Sequence, residues 1–299
     1  MIFNQTGKAA DGLYVLGTSH FPTHLVIGAE PVLIEAGVAC LGSLYESEIR
    51  KVLKNQVPTH LFLTHVHFDH CGAAAFLKQK FPGLNICASQ KAADIMRRPN
   101  AVKTIKQLND EVEGWIGEEE TPNSARTIPF EPFAVDRVLA EGDRIDIGNG
   151  LTVEVLATPG HTWDSLSYYI PQKKWVFIGE AGGVTGPTGF ISTEFLADFD
   201  AYMQSLERLS SLNPDIVSQG HFALFTGADA KTFFSRSIEA ALRFKDLADG
   251  FLDEEHGDVD KVVQRIKAAE YDDRPGPKQP LTAYLLNLQA RVRHLAARA

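Results

Sequence analysis

The sequence predicts a mixed α/β fold, and three observations predict it. Short apolar runs alternate with polar turns and helical stretches through the first hundred residues. A second series of short strands fills residues 138–179. Beyond Thr226 the pattern becomes helical, with apolar residues three and four apart.

Taken in order, Leu13–Leu16, Thr23–Ile27 and Pro31–Glu35 read as strands broken by Gly17, Gly28 and Gly37. Leu44–Lys54 reads as a helix. Thr59–Leu63 is a short apolar run that empties into a His-rich turn. Gly72–Lys80 follows as a helix, closed by Phe81-Pro82-Gly83. Asn85–Ala88 is a strand, and Ser89 offers a hydroxyl cap to a helix ending at Met96. Pro99 to Pro132 reads as an insertion that forms a lid or a cleft rim: one helix, Ala101–Trp115, and then a polar segment. Strands resume at Val138–Leu139, Asp143–Ile147, Leu151–Ala157, Ser165–Ile170 and Trp175–Gly179, the last two joined by a hairpin turn at Pro171–Lys174. A helix over Asp198–Ser211 precedes the strand Asp215–Ser218. Helices then cover Ala228–Leu247, Val259–Ala269 and Leu281–Ala297, with a Pro/Gly-rich linker at Asp272–Pro280. The expected division is an α/β body over 1–226 and a helical subdomain over 227–299.

Composition narrows the class. The chain has 299 residues, 44% of them hydrophobic, so it can bury a core and is not a disordered acidic segment. Its 29 Lys+Arg against 38 Asp+Glu leave a formal charge of −9, which speaks against a nucleic-acid-coating surface. Cys40, Cys71 and Cys87 form neither a CxxC pair nor a disulfide framework. No signal-peptide pattern opens the chain, and no apolar run approaches the ~20 residues of a membrane-spanning helix. A cytoplasmic protein without membrane or nucleic-acid partners is the expectation.

The chemistry concentrates in LFLTHVHFDHCG, residues 61–72. His65, His67, Asp69 and His70 fall within six positions at the end of an apolar strand, where a turn can aim several side chains into one cleft. Imidazole and carboxylate together suit zinc, iron or manganese. His161 in TPGHT, Glu180 in GEAGG and His221 in QGH each stand just past another short strand. His20 and His24, in the loop SHFPTHL, are candidates for the pocket rim, and His60, His256 and His294 read as surface or packing residues.

The order HxHxDH, PGHT, GE and GH resembles the metallo-β-lactamase-fold hydrolases over roughly residues 10–225. The resemblance implies an αββα sandwich, two mixed sheets flanked by helices, with two divalent cations at the sheet edges. Carried across, His65, His67 and His161 hold the first cation, and Asp69, His70 and His221 the second. Zinc is the expected ion, and iron or manganese suit the same donors. Glu180 stands where the family has an aspartate bridging cations ~3.5–4 Å apart; one methylene longer, it can bridge both, bind only one or leave the second site weak, and retained ligation is the expectation. Glu35 in LIEAG, where many relatives carry Asp, is expected to orient a ligand loop.

Two cations sharing a water bring its pKa towards ~7, so hydrolysis by water follows, with Asp69 orienting the nucleophile and sharing in proton transfer. No GxSxG elbow or Gly-rich phosphate loop offers another route. Oxygen-reducing diiron relatives resemble HxExDH, and His67 stands where they carry Glu. The run DAYMQSLERL and the helical tail are most similar to the quinolone-signal-response thioesterase type, which implies a small-molecule acyl thioester or ester as substrate. Phe190, Phe195, Phe222 and Phe225 flank the motifs and are candidates for an acyl pocket. A lactonase or a phosphodiesterase would use the same residues, and a regulatory protein on a hydrolase scaffold is the reading from another class. The glutathione-thioester branch is less favoured, since no paired basic signature stands near the C-terminus. A homodimer through the tail is compatible with the pattern.

Overall fold

Strands that are apolar on both faces need cover on both faces, and this chain supplies it in four layers: helices, sheet, sheet, helices. The computed structural model describes residues 2–3, 5–116, 128–186, 188–273, 278 and 280–298. The polar half of the expected insertion, 117–127, and most of the expected linker, 274–277 and 279, lie outside the described residues.

The chain opens with β1 (Ile2–Phe3), which crosses to the second sheet. The first sheet follows as β2 (Gly7–Ala10), β3 (Leu13–Gly17), β4 (Pro22–Val26), β5 (Val32–Ile34), β6 (His60–Phe62), β7 (Asn85–Ser89) and β8 (Arg137–Leu139), in that spatial order. Pairing is antiparallel from β2 to β5 and parallel from β5 to β8. Its outer face carries α1 (Gly42–Leu53), α2 (Phe68–Cys71), α3 (Ala74–Lys80), α4 (Gln90–Met96) and α5 (Pro99–Trp115). The second sheet contains β9 (Arg144–Gly148), β10 (Leu151–Ala157), β11 (Leu166–Ile170) and β12 (Trp175–Gly179), then β15 (Ile216–Gln219), β16 (Leu224–Thr226) and finally β1. A separate ribbon of β13 (Val184–Thr185) and β14 (Ile191–Ser192) leads to α6 (Phe199–Ser211). The tail is α7 (Ala228–Glu254), α8 (Val259–Lys267), a π-helical turn over Ala268–Asp272, and α9 (Leu281–Ala296).

Period-two alternation sorts the strand side chains into three apolar clusters. Val32, Ile34 and Phe62 point between the sheets with Tyr168 and Phe177, while Leu33 and Leu61 point to the helices of the first face. In β12, Trp175 and Phe177 face inward, and Val176 and Ile178 face α6 and the tail. Phe233, Val263 and Leu288 of the three tail helices share that outer cluster with Val217. Burying a side chain of this size contributes about 1.5–3 kcal/mol, so the tail is fastened to the sheet by many such contacts.

Local signals place most element ends. Ser89 Oγ accepts from Ala92 N at 3.1 Å and Asp198 Oδ1 from Ala201 N at 2.7 Å, the capping bonds that orphan helix N–H groups require. The hairpin pairs Ile170 with Trp175 as expected. Most boundaries shift by one or two residues, and two differences matter more. α7 runs seven residues beyond Leu247, because Ala248 and Leu252 continue its buried stripe past the exposed Gly250. The expected helix at Gly72 is preceded by the one-turn α2, so Asp69 and His70 sit on a helix and not in an open turn.

Candidate metal centre

Seven side chains from four strand ends and one helical turn converge at the edge between the sheets. His65 leaves β6; His67 is the extended N-cap of α2, whose first turn carries Asp69 and His70. Asn109 of α5 pins that turn: its Nδ2 donates to Phe68 O at 3.2 Å and its Oδ1 accepts from Ala39 N at 2.9 Å. His161 follows β10, Glu180 follows β12 and His221 follows β15. Two glycines are dictated by close approach. Gly160 has φ +129°, and a Cβ there would lie 2.3 Å from Tyr202 Cα of α6. A Cβ on Gly220 would lie 2.4 Å from the His70 ring. The glycines in PGH and QGH therefore let neighbouring backbone and imidazole close around the site.

His65, His67, His161 and Glu180 offer ligand atoms within 4.8 Å of one another, as do Asp69, His70 and His221. His161 Nε2 stands 3.2 Å from His65 Nε2, 3.1 Å from His67 Nδ1 and 2.8 Å from Glu180 Oε2. The other Glu180 oxygen, Oε1, is 3.3 Å from His221 Nε2, which is itself 3.4 Å from Asp69 Oδ2. His70 Nε2 lies 4.0 Å from Asp69 Oδ1. Glu180 thus presents one oxygen to each group.

The outer hydrogen bonds fix which ring nitrogens face inward. His161 Nδ1 donates to Glu194 O at 2.6 Å, and His221 Nδ1 to His20 O at 2.5 Å. Thr64 Oγ1 donates to Glu35 Oε1 and lies 3.0 Å from His65 Nδ1, from which it accepts. A neutral imidazole has one N–H and one lone pair. With the Nδ1 protons used outward, the Nε2 lone pairs of His65 and His161 face each other at 3.2 Å. A divalent cation matches that donor set. His70 is also built for a ligand. It is fully buried, its Nδ1 is 3.2 Å from Glu35 Oε1, and neither ring nitrogen has a hydrogen bond of good geometry. Glu35 reaches both groups from a left-handed backbone, φ +70°, with its N–H tied to Phe62 O.

Burial and neighbours set the protonation of the metal-free site. Burial, reinforced by adjacent imidazoles, holds His65 well below the usual histidine range and His67 at about 3. Burial opposes charge on His70, His161 and His221 as well, but facing carboxylates overcome it. Glu35 and Asp69 raise His70, Glu180 raises His161, and Glu180 with Asp69 lifts His221 to about 9. Burial likewise opposes charge on Glu180, yet His161 and His221 hold its carboxyl well below the carboxylate range.

The site forms the floor of a cavity of about 1370 Å³. Ile105 and Leu108 of α5 line one wall and Tyr284, Leu286 and Asn287 of α9 the other. His20, Phe190 and Phe222 of the expected pocket residues line it; His24, Phe195 and Phe225 do not. His24 points between the sheets, where its Nε2 is 2.8 Å from Ser218 Oγ and burial lowers it to about 4. Phe195 packs among Phe199, Tyr202 and Phe244, and Phe225 against Phe233, both in the core under the tail. Nearness to a motif in sequence does not decide which way a ring points. Two lining carboxylates had no sequence signal of their own. Asp164 accepts from Val66 N at 3.0 Å, bracing the ligand loop. Glu194 is buried beside His161, and burial raises its carboxyl. The three cysteines are buried free thiols, and among the described residues no helix is long and apolar enough to cross a membrane.

Comparison with known proteins agrees with this geometry. A family model described as the metallo-beta-lactamase superfamily matches residues 23–221. A hydroxyacylglutathione hydrolase of Rhizobium meliloti is 28% identical over 60% of this chain and 58% of its own length. An atrochrysone carboxyl ACP thioesterase of Aspergillus fumigatus is 25% identical over 73% of this chain and 52% of its own length. The chain therefore spans little more than half the length of these curated relatives. Among solved structures, an archaeal metallo-beta-lactamase superfamily protein from Sulfolobus tokodaii superposes with a TM-score of 0.58 at 18% identity, covering 96% of this chain and 98% of that one.

Proposed function

This chain belongs to the metallo-beta-lactamase superfamily, and from that membership we propose that it is a hydrolase with a two-cation centre that cleaves a small-molecule acyl thioester or ester. The observation that carries the reading is the Glu180 carboxylate, with Oε2 2.8 Å from His161 and Oε1 3.3 Å from His221, so that one side chain serves both ligand groups. His65, His67 and His161 would hold one cation, and Asp69, His70 and His221 the other. Zinc suits these nitrogen and oxygen donors, as do iron and manganese. When bound, the cations supply Lewis acidity to a substrate carbonyl and make water acidic enough to attack near neutral pH.

The chain's own residues do the rest. Asp69 is part-buried and lines the cavity, so its carboxylate can orient an attacking water and take its proton. Ile105 and Leu108 of α5 and Leu286 of α9 give the cavity apolar surface that suits an acyl group, and Phe190 and Phe222 add aromatic surface. The cavity exceeds the roughly 300–1,000 Å³ of an ordinary small-ligand site, which favours an acyl group still joined to a sizeable leaving thiol or alcohol. The names of two relatives, a hydroxyacylglutathione hydrolase and an ACP thioesterase, support the thioester class.

The test is turnover by metal-loaded protein on acyl-CoA, acyl-glutathione and lactone panels. We expect thioester cleavage that chelation stops and that Asp69→Asn lowers by about a hundredfold or more, the loss typical of removing a positioned acid or base. No metal-dependent turnover on any panel overturns the proposal.

A further inference from the structure

One face of α9 is polar although the helix is packed in the core. Asn287, Arg291 and His294, spaced four and three residues apart, share that face. All three reach one short segment that ends at α6. Asn287 Nδ2 donates to Glu194 Oε2 at 3.2 Å. Arg291 Nη1 donates to Thr193 O at 2.7 Å and contacts Thr193 Oγ1 at 3.3 Å. His294 Nε2 accepts from Phe199 N at 3.0 Å. The same segment supplies the carbonyl, Glu194 O, that accepts the Nδ1 proton of His161 at 2.6 Å.

Arg291 is the unusual member. It is 0% exposed, its guanidinium lies 4.4 Å from the Phe244 ring, and its Nε and Nη2 have no hydrogen-bond partner among the described residues. A buried, half-satisfied cation is a poor way to stabilise a fold, and an apolar side chain of equal volume often serves better. What Arg291 does achieve is to hold the Thr193 carbonyl, one peptide away from the carbonyl that orients His161. Glu194 is clamped from two further sides, by Ser192 Oγ at 2.9 Å and by Asn287.

We infer that α9 is the positioning element for His161, with Arg291 and Asn287 as positioning residues that act through Thr193 and Glu194 on the orientation of that imidazole. The inference rests on the reading of His65, His67 and His161 as cation ligands. It gives the helical tail a part in the metal centre beyond covering the sheet.

The experiment compares the full-length wild type with Arg291→Met, Arg291→Lys and Asn287→Ala. Affinity for the first cation is measured by chelator competition, the ligand field by the absorption of the cobalt(II) form, and the fold by the thermal midpoint of the metal-free protein. Arg291→Met is expected to weaken the first cation about tenfold, at the lower end of the 10–100-fold typical of outer partners, and to shift the cobalt bands, with Arg291→Lys recovering part of both. A purely structural role would lower the midpoint and leave affinity and spectrum unchanged, and that result overturns the inference. If Arg291→Met does not fold, Asn287→Ala decides: a several-fold loss supports positioning, and wild-type affinity overturns it. A wild type that takes up no cation overturns the ligand reading and this inference together, whereas uptake with unaltered variants overturns this inference alone.

Discussion

The two ligand groups share Glu180 but face opposite surroundings. In the first, burial and neighbouring imidazoles strip His65 and His67 of protons well below neutral pH, and only His161, against Glu180, is pushed the other way. In the second, Glu35, Asp69 and Glu180 overcome burial and keep His70 and His221 charged more readily than an ordinary histidine. A cation must displace whatever protons its ligands hold. His65 and His67 of the first group are therefore ready at neutral pH, while His221 of the second must release a proton first. On these directions the proposed centre is expected to fill in order, with the second cation the more pH-dependent.

The widest break in that comparison would come from single ligand deletions. His67→Ala should remove the first cation and lower turnover by more than the roughly 10–100-fold that outer-partner changes cost, whereas His70→Ala should leave one tightly held cation per chain. Metal content after dialysis distinguishes them, and loss of both cations from His70→Ala would mean that the groups are not separable. Glu35→Gln is next in size. Its carboxylate reaches Thr64 and His70 together, so the second cation should weaken about tenfold and the first less, as measured by chelator competition; equal losses would contradict the difference between the groups.

The smallest effect is a slope. His221 stands at about 9 in the metal-free fold against 6.5 for an ordinary histidine. Affinity for the second cation should climb by about tenfold per pH unit as the His221 proton is displaced below about 9, more steeply where His70 releases one as well, and then level off. Metal-free stability should move the opposite way. The raised value means that the charged ring stabilises the fold fully below about 6.5, and that this contribution is lost as pH rises through about 9. Calorimetric titrations and thermal midpoints across the window check both signs; a second-site affinity that does not vary with pH would sink the proton-displacement account.

Much of the floor of the site was legible because its signals are local. Each ligand stands within a few residues of a strand end, and the pattern HxHxDH concentrates four of them within six positions. The capping roles of Ser89 and Asp198 are equally local. What the sequence hid is long-range. Asp164 meets Val66 across 98 positions, and Arg291 meets Thr193 across another 98; no spacing rule connects such pairs. The ribbon of β13 and β14 has two-residue strands, too short for alternation to show. Phe195 lies outside the cavity because a single residue step turns a side chain to the core, Glu194 lining the cavity and Phe195 not, and Phe225 lies on a strand whose two faces are both core.

The contributions of the two sheets to the centre are almost equal. His65, His67, Asp69 and His70 come from the edge of the first, and His161, Glu180 and His221 from the edge of the second. Occupancy of such a centre is linked to whether the two layers stay together, since the complete ligand set exists only in the folded chain. At free cation a hundredfold above its dissociation constant, that linkage adds about 2.7 kcal/mol to the folded state. On the proposed reading, the supply of metal around the protein would therefore set its stability against unfolding as well as its chemistry.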